Sequence, residues 1–271
     1  MAAKSARRLR LDAELVRRGL ARSREHAASL IADGRVTVGG AVATKPATVI
    51  ETAAAVVVTD DVDDPGWASR GAHKLLGALE VFEIPVDGRR CLDAGASTGG
   101  FTDVLLRRGA RQVVAADVGY GQLVWALRTD ERVTVLDRTN VRTLDATAVG
   151  GPVELVVADL SFISLRLVLG ALAACAAPGA DLVPMVKPQF EVGRERLGSG
   201  GVVRDPELRV AAVNDVVVAA RGAGLALHGV TASPLPGPSG NVEYFLWLRA
   251  GATGPDADAE RVRRAVEAGP R

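Results

Sequence analysis

One glycine-rich segment has the residue types and the spacing of a ligand-binding loop. It runs from Asp93 to Phe101, follows a short apolar stretch and precedes a predicted helix. Glycines let the main chain approach a ligand closely, and the first turn of a helix presents free N–H groups. The loop contains no basic residue that could bind phosphate. The residues predicted to bind a cofactor here are Asp93, Gly95, Ser97, Thr98, Gly99 and Phe101.

Two carboxylates indicate which cofactor fits this loop. Asp93 stands at the start of the loop, where it suits an ammonium group better than a pyrophosphate. Asp117 ends the next predicted strand, where a carboxylate can bind the ribose hydroxyls of an adenosine cofactor. Adenosine with an amino-acid tail satisfies both acids, so the sequence predicts S-adenosyl-L-methionine. Phe101 is equally suited to pack on that cofactor or to fill the core.

The elements around this loop alternate between strands and helices from about residue 69. Continuous apolar strands separated by helices are typical of a parallel sheet that is covered on both faces. The predicted strands are 90–93, 112–116, 133–136, 155–158 and 182–186, and the predicted helices are 69–82, 101–108, 122–128, 165–176 and 207–221. A last strand, 244–248, follows a Pro/Gly-rich turn, which favours an antiparallel orientation. We therefore predict a Rossmann-like α/β domain with a mostly parallel sheet.

The first 60 residues have a different charge and a different pattern. They contain ten Lys/Arg and six Asp/Glu, whereas the whole chain carries a net charge of +1. Two helical patterns, 12–18 and 24–33, precede a hairpin turn at Gly39-Gly40 and a strand at 56–58. A basic cluster on a small module is typical of a nucleic-acid-binding domain, although a solvated helix face is an equal alternative. The predicted RNA-binding residues are Arg10, Arg17, Arg22 and Arg24.

The composition excludes several classes of protein. Two cysteines, Cys91 and Cys175, rule out a disulfide scaffold and favour reduced core thiols in the cytoplasm. The three histidines share no ligand spacing, so we expect no metal site. The apolar run 167–180 is shorter than the roughly 20 residues of a membrane-spanning helix, and no secretory signal is expected. Trp125 and Trp247 are predicted to lie in the core.

Several motifs of this chain resemble known families. Residues 8–58, with Arg10-Leu11-Asp12 and Gly34-Arg35-Val36, resemble the S4 RNA-binding domain, and residues 69–249 resemble the FtsJ-like ribose methyltransferases. Their order, together with the motifs 69–75, 158–164, 187–190 and 238–243, is similar to the TlyA family of rRNA cytidine-2′-O-methyltransferases, which are also named haemolysins. One departure is the linker, where relatives often carry Arg-x-Trp-Val and this chain reads Pro65-Gly66-Trp67-Ala68.

The resemblance implies a domain organisation and a partner. We expect an S4-like domain at 1–60, a linker at 61–68, a methyltransferase domain at 69–249 and a loose tail with a short helix at 250–271. The S4-like domain would bind ribosomal RNA or ribosomal subunits. We expect no contact with membranes.

The resemblance also implies the catalytic residues. The Lys-Asp-Lys-Glu pattern of the FtsJ-like enzymes falls on Lys74, Asp159, Lys187 and Glu243. The last three stand where predicted strands end or begin, and ligands of open α/β sheets bind at that edge. Lysine can lose a proton where arginine cannot, so Lys187 would remove or orient the proton of a ribose 2′-hydroxyl. Asn140 would meet the adenine, and Asp159 would also contact the cofactor.

Three other functions compete with this hypothesis. A pore-forming haemolysin is suggested only by the family's second name. An RNA-binding protein with an inactive methyltransferase fold would not need the intact set of four residues. A base or small-molecule methyltransferase would leave the RNA-binding module and the paired lysines without a purpose.

Overall fold

The computed structural model describes residues 8–21, 24–32, 34–59, 66–237, 239–251 and 258–270. The chain divides into two compact units, 1–69 and 70–271. The strands are β1 (Arg8–Arg10), β2 (Val36–Val38), β3 (Ala41–Val42), β4 (Val49–Glu51), β5 (Val56–Val58), β6 (Arg90–Ala94), β7 (Gln112–Ala116), β8 (Val133–Leu136), β9 (Val153–Ala158), β10 (Ala176–Val186), β11 (Leu225–Ala232) and β12 (Tyr244–Ala250). The helices are α1 (Leu11–Arg17), α2 (Arg24–Ala32), α3 (Gly71–Phe82), α4 (Gly100–Arg107), α5 (Trp125–Arg128), α6 (Leu169–Cys175), α7 (Pro188–Glu191), α8 (Pro206–Gly222) and α9 (Asp258–Ala268).

The first unit packs two helices and two small antiparallel sheets around one apolar core. Strands β1 and β4 form one pair, and β3-β2-β5 form the other sheet. The predicted hairpin at Gly39-Gly40 is confirmed, because Val38 pairs with Ala41 across the turn. Leu11, Leu15 and Ile31 are fully or almost fully buried between these elements. The sequence analysis missed β1 and β4.

The second unit is built on a seven-stranded sheet in the order β11-β12-β10-β9-β6-β7-β8. Strands β10, β9, β6, β7 and β8 run parallel, and β12 is antiparallel to both of its neighbours. This confirms the predicted mostly parallel Rossmann-like sheet with an antiparallel last strand. All five residues of β6 are buried, as expected of a central strand covered on both faces.

Strand β11 was not predicted, and its sequence explains why. Gly229 interrupts the apolar run where the pairing with β12 shifts register between Leu227 and Gly229. A Cβ atom at Gly229 would lie only 2.8 Å from Cε1 of Phe82, so the strand passes close to α3 at this point. Glycine at this position therefore allows the strand to pack against Phe82, and the hydrophobic periodicity of the sequence does not reveal such a contact.

Two further expectations about the second unit concern the tail and Trp125. The short helix expected in the tail is α9, but the described part of this tail is not loose, because Val262 and Val266 of α9 belong to the main core. Trp125 was expected in the core but is 75% exposed. The predicted helix 122–128 shortens to α5 because Val124 has an extended backbone, which leaves the indole on the surface.

Candidate functional site

The carboxyl edge of the large sheet brings three predicted catalytic residues next to one another. Ala158 is in register with Pro184, and Val186 is in register with Tyr244. Asp159 follows β9, Lys187 follows β10 and Glu243 precedes the antiparallel β12, so all three emerge at the same edge from adjacent strands. This is the edge at which open α/β sheets bind their ligands.

Lys187 has two partners on the loop that follows β9. Its Nζ lies 2.6 Å from Oδ1 of Asp159 and donates a hydrogen bond of 3.0 Å to Oγ of Ser161. Lys187 itself is 8% exposed, whereas the Asp159 side chain is 26% exposed and Ser161 lies on the surface. The ammonium group is therefore fixed from one side, and the pair remains accessible from solvent.

Lys74 forms the second pair, and this pair is more enclosed. Its Nζ donates to Oε2 of Glu243 at 2.6 Å, and Glu243 is only 1% exposed. The other carboxylate oxygen, Oε1, has no hydrogen-bond partner among the described residues. A Cβ atom at Gly237 would lie 2.6 Å from this oxygen, so the glycine leaves room for the carboxylate. The site thus consists of two lysine–carboxylate pairs. Asp159, Lys187 and Glu243 lie at the ends of adjacent strands, and Lys74 lies on α3.

Asp93 lies at the end of β6 in an environment that disfavours its charge. It is fully buried, its Oδ2 accepts a 2.7 Å hydrogen bond from Oγ1 of Thr102, and its Oδ1 has no partner among the described residues. Burial raises the pKa of Asp93 to about 7, and the negative charges of Asp159 and Asp117 add to the rise, while the Thr102 hydrogen bond opposes it. A cationic ligand would relieve this repulsion.

Asp117 organises the glycine-rich loop from the end of β7. Its Oδ2 accepts from the main-chain N–H of Ser97 at 2.8 Å, and its Oδ1 accepts from Gly119 at 2.7 Å. Ser97 adopts a left-handed backbone with φ of 48°, which is uncommon for a residue other than glycine. The half-buried carboxylate retains lone pairs that face outward from these amides, so it can still accept from hydroxyls.

The glycines of the loop face protein rather than open space. A Cβ atom at Gly95 would lie 2.4 Å from the main-chain oxygen of Asp159, and one at Gly99 would lie 2.4 Å from Cδ1 of Leu127. Gly95 and Gly99 have φ values of 88° and 104°. Close packing of the loop against β9 and α5 therefore requires these glycines, which is a different reason from the predicted approach of a ligand.

The other predicted cofactor residues differ in their exposure. Phe101 is 4% exposed and its ring centroid lies 6.1 Å from that of Phe245, which favours the core-filling alternative. Asn140 is exposed, and its side chain accepts from the main-chain N–H of Arg142 at 3.0 Å. Thr98 is half-buried and its carbonyl accepts from Val124 at 3.2 Å.

Sequence reasoning missed three residues near the pairs. Ser161 holds Lys187, and Glu191 is buried beneath the same loop. Phe162 is 92% exposed with φ of 64°, and its ring centroid is 5.3 Å from that of Phe190. The run Ser161-Phe162-Ile163-Ser164, which begins two residues after Asp159, was the available signal, because polar residues after a buried strand mark the sheet edge at which ligands bind.

The predicted RNA-binding arginines lie in the first unit and already have carboxylate partners. Arg10 and Arg24 lie 2.8 and 2.9 Å from Oδ2 of Asp12, and Arg17 lies 2.6 Å from Oε1 of Glu14. Their side chains nevertheless remain 49%, 59% and 51% exposed. The carboxylates therefore orient guanidinium groups that still face solvent. The fourth predicted residue, Arg22, lies outside the described residues.

The described ranges contain neither a candidate metal centre nor a candidate membrane-spanning helix. No group of three or more His, Cys, Asp or Glu residues could hold a metal ion. No helix of that part of the chain is both long enough and apolar enough to cross a bilayer. Cys91 and Cys175 are free and buried, as predicted.

Comparisons with known proteins agree with this architecture. Residues 67–250 match the FtsJ-like methyltransferase family, and residues 9–56 match the S4 domain. The chain is 62% identical to the 16S/23S rRNA (cytidine-2′-O)-methyltransferase TlyA of Mycobacterium tuberculosis, over 98% of this chain and 100% of that protein. It is 40% identical to YqxC of Bacillus subtilis, which is named as an rRNA methyltransferase, over 97% of this chain and 94% of that one.

A solved structure covers the same two units. A protein from Streptococcus thermophilus that is named as a hemolysin superposes with a TM-score of 0.77 at 35% identity, over 97% of this chain and 96% of that chain. The seven-stranded sheet and the residues at its carboxyl edge are those of a methyltransferase, and the module before it is an S4 domain. The chain belongs to the FtsJ-like methyltransferases and, within them, to the TlyA family.

Proposed function

We propose that this enzyme methylates the ribose 2′-hydroxyl of a cytidine in ribosomal RNA, with S-adenosyl-L-methionine as methyl donor. The observation that carries the proposal is the pair of lysine–carboxylate contacts at one sheet edge, Lys187 with Asp159 and Lys74 with Glu243. The Mycobacterium tuberculosis relative, 62% identical over the full chain, is named for this reaction.

The residues at the strand ends fit such a cofactor. Asp93, Asp117 and Asp159 end the adjacent strands β6, β7 and β9, and none of them faces a phosphate-binding cation in the loop. Asp93 has an oxygen without a partner among the described residues, suited to an ammonium group, and Asp117 is suited to ribose hydroxyls. When bound, the cofactor supplies an electrophilic methyl group on a positively charged sulfur. Three neighbouring carboxylates favour a ligand that carries this charge.

Lys187 would act on the hydroxyl that receives the methyl group. A ribose hydroxyl is a poor nucleophile until its proton is withdrawn or directed away from the attacking lone pair. Asp159 and Ser161 contact Nζ of Lys187, and an ammonium group has three N–H donors, so one donor remains for the hydroxyl. Methyl transfer would form the oxygen–carbon bond and break the carbon–sulfur bond, and the hydroxyl proton would pass to Nζ if the amine is neutral, or to solvent if it is charged.

The second pair, Lys74 and Glu243, would stabilise the site and exclude water from it, and it would not exchange protons. Lys74 and Glu243 are both buried, and Glu243 immediately precedes Tyr244, which pairs with Val186, the residue before Lys187. Glu243 holds the Lys74 ammonium group in place, so this pair contributes a fixed cation and a fixed carboxylate at the sheet edge. Arginine could not replace Lys187 in a proton-handling role, and only four of the chain's 33 basic residues are lysines.

The S4 domain would supply the affinity for RNA. Arg10, Arg17 and Arg24 combine exposed guanidinium groups with a fixed orientation, which suits phosphate contacts. Arg22 is included on sequence grounds. The alternative of an inactive methyltransferase fold is less well supported, because both lysine–carboxylate pairs are intact.

Transfer of radiolabelled methyl groups tests the proposed function. Purified chain is incubated with labelled S-adenosyl-L-methionine and, separately, with small and large ribosomal subunits from cells that lack this activity. We expect label in rRNA, at a position where alkaline cleavage of the backbone is blocked, and none with Lys187→Ala. Lys45→Ala, which changes a lysine of the first unit, is the matched control. Failure of the wild-type chain to label either subunit would overturn the proposal.

A further inference from the structure

Two short segments build the surroundings of Lys187. The first is the loop 159–165, which carries the two partners of Lys187, Asp159 and Ser161, at its start. The second is the turn 187–191, in which Lys187 precedes the single-turn helix α7. The geometry of the lysine therefore depends on how these two segments are held against each other.

Glu191 connects the carboxyl-terminal ends of the two segments. It ends α7, it is 3% exposed, and its carboxylate accepts two hydrogen bonds from the loop. Oε2 accepts from Oγ of Ser164 at 2.5 Å, and Oε1 accepts from the main-chain N–H of Leu165 at 2.7 Å. Arg166, directly after the loop, adds an ion pair at 3.3 Å. A buried carboxylate with two hydrogen bonds and an ion pair to one neighbouring segment fixes that segment's position strongly.

The two segments are thus joined at both ends. Lys187 contacts the start of the loop, and Glu191, one helical turn later, contacts its end. Between them the Phe162 and Phe190 rings lie 5.3 Å apart. The positive φ of Phe162 marks the sharp bend that this double attachment imposes on the loop.

We propose that Glu191 is a positioning residue of the methyl-transfer reaction, which holds the loop that places Asp159 and Ser161 on the Lys187 ammonium group. The inference rests on the proposed function, since it assigns Glu191 a role through Lys187. Glu191 does not touch the reacting atoms. Displacements of about 1 Å in a catalytic group can cost about a hundredfold in rate, so a loosened loop should slow transfer without weakening binding.

The test compares Glu191→Gln with Asp181→Asn. Asp181 is a matched control because it is 4% exposed, lies on β10 away from its carboxyl end, accepts two hydrogen bonds, from Arg89 and Trp247, and forms an ion pair with Arg249. The single-turnover rate of methyl transfer to ribosomal subunits and the half-saturating concentrations of both substrates are measured. Circular dichroism selects a temperature at which all variants are folded.

We expect Glu191→Gln to lower the single-turnover rate about ten- to a hundredfold, with half-saturating concentrations within about twofold of wild type. Asp181→Asn should leave the rate of the folded protein unchanged. Ser161→Ala should also slow transfer, Ser161→Thr should restore it, and Ser161→Ala combined with Glu191→Gln should be no more than about twofold slower than the slower single variant.

Other results would overturn the inference. Equal rates for Glu191→Gln and Asp181→Asn, or effects of Glu191→Gln and Ser161→Ala that multiply, would show that Glu191 has only a structural role. If Glu191→Gln does not fold, Ser164→Ala removes one donor from the same carboxylate and should give a smaller loss of the same kind. A wild-type chain that transfers no methyl group would instead refute the proposed function itself.

Discussion

The buried carboxylates of the first unit and Asp93 of the second unit have opposite environments. In the first unit, hydrogen bonds from Arg17, together with Arg18, hold the pKa of Glu14 down at about 2 although burial opposes them. Arg10 and Arg24 likewise keep the pKa of Asp12 well below its usual range. In the second unit, Asp93 has only the Thr102 hydroxyl as a side-chain donor, and burial raises its pKa to about 7.

This contrast separates structural carboxylates from those kept for a ligand. A carboxylate surrounded by arginines is satisfied within the protein and fixes the chain around it. A buried carboxylate that lacks such donors costs stability in its charged form, and strongly perturbed groups of this kind cluster at functional sites. At the carboxyl edge of the large sheet, buried carboxylate oxygens of Asp93 and Glu243 have no hydrogen-bond partner among the described residues. In the S4 domain, by contrast, Asp12 and Glu14 are paired with arginines of the same domain.

The largest expected effect concerns Lys187. Lys187→Arg keeps the charge at the sheet edge but removes a group that can handle a proton, so turnover should fall at least about a hundredfold. Cofactor affinity, measured by calorimetry, should barely change, because the role proposed for Lys187 lies with the acceptor. Lys45→Arg is the matched exchange in the first unit and should have no effect. Turnover of Lys187→Arg within a fewfold of wild type would show that charge alone suffices.

The next effect concerns the cofactor loop. Asp117→Ala removes the acceptor for the Ser97 and Gly119 amides and the acceptor proposed for the ribose hydroxyls, and hydrogen bonds to a charged group contribute about 1.5–3 kcal/mol. The dissociation constant for S-adenosyl-L-methionine should rise about ten- to a hundredfold in calorimetry. Glu154→Ala, which removes a carboxylate that accepts from the Arg90 amide at the start of β6, should bind like wild type. Unchanged affinity in folded Asp117→Ala would remove this residue from the site.

Much of this arrangement could be predicted from the sequence, and the failures have physical causes. The strand ends that carry Asp93, Asp117 and Asp159 follow from continuous apolar runs, since a covered parallel sheet demands them. The close contact of Gly95 with the Asp159 main chain joins residues 64 positions apart, and local patterns do not report such contacts. Glu191 was missed for the same reason, because its donors come from a loop 26 residues earlier.

Exposed aromatic residues were the other source of error. Trp125 resembles a core residue by type, yet the extended backbone at Val124 turns its helix so that the indole faces solvent. Residue type predicts burial only on average, and exceptions are frequent where loops form a ligand edge. The predicted domain boundaries at 60 and 68 stay predictions, since residues 60–65 lie outside the described chain.

A pH-dependent effect would test the environment of Asp93 directly. The folded chain holds the Asp93 proton with a pKa of about 7, and an unfolded aspartate has a pKa of about 4. Stability should therefore fall as pH rises from about 4 to about 7, by on the order of 4 kcal/mol as an upper bound. Asp93→Asn should raise the melting temperature at pH 8, change it little at pH 4.5, and weaken cofactor binding.

The matched control for this experiment is Asp181→Asn. Asp181 is also buried but has arginine and tryptophan donors, so its replacement should lower the melting temperature at pH 8. A melting temperature of Asp93→Asn below that of wild type at pH 8 would contradict the account of an unsatisfied carboxylate. Calorimetric scans at the two pH values provide both comparisons.

The smallest expected effect lies in the first unit. Because Arg10, Arg17 and Arg24 pair with the buried Asp12 and Glu14, circular dichroism first selects conditions under which the variant is folded. In folded protein, replacement of Arg10, Arg17, Arg22 and Arg24 by alanine should flatten the salt dependence of rRNA binding by about 0.7–0.9 per lost phosphate contact. Cofactor binding should not change. The matched control neutralises four exposed, ion-paired arginines of the second unit, Arg107, Arg108, Arg111 and Arg132. An equal salt slope for wild type and the first variant would show that the cluster is only a solvated surface.

We propose that the carboxyl edge of the large sheet directs a methyl group to a ribose hydroxyl rather than to a base. This is tested by letting the chain methylate ribosomal subunits with an isotope-labelled methyl donor, digesting the rRNA to nucleosides and identifying the labelled nucleoside by mass spectrometry. We expect label in 2′-O-methylcytidine, with the methyl group on the sugar fragment, and loss of this label with Lys187→Arg. Label on the base fragment, or equal labelling by Lys187→Arg, would show that the sheet edge does not act on the ribose hydroxyl in this way.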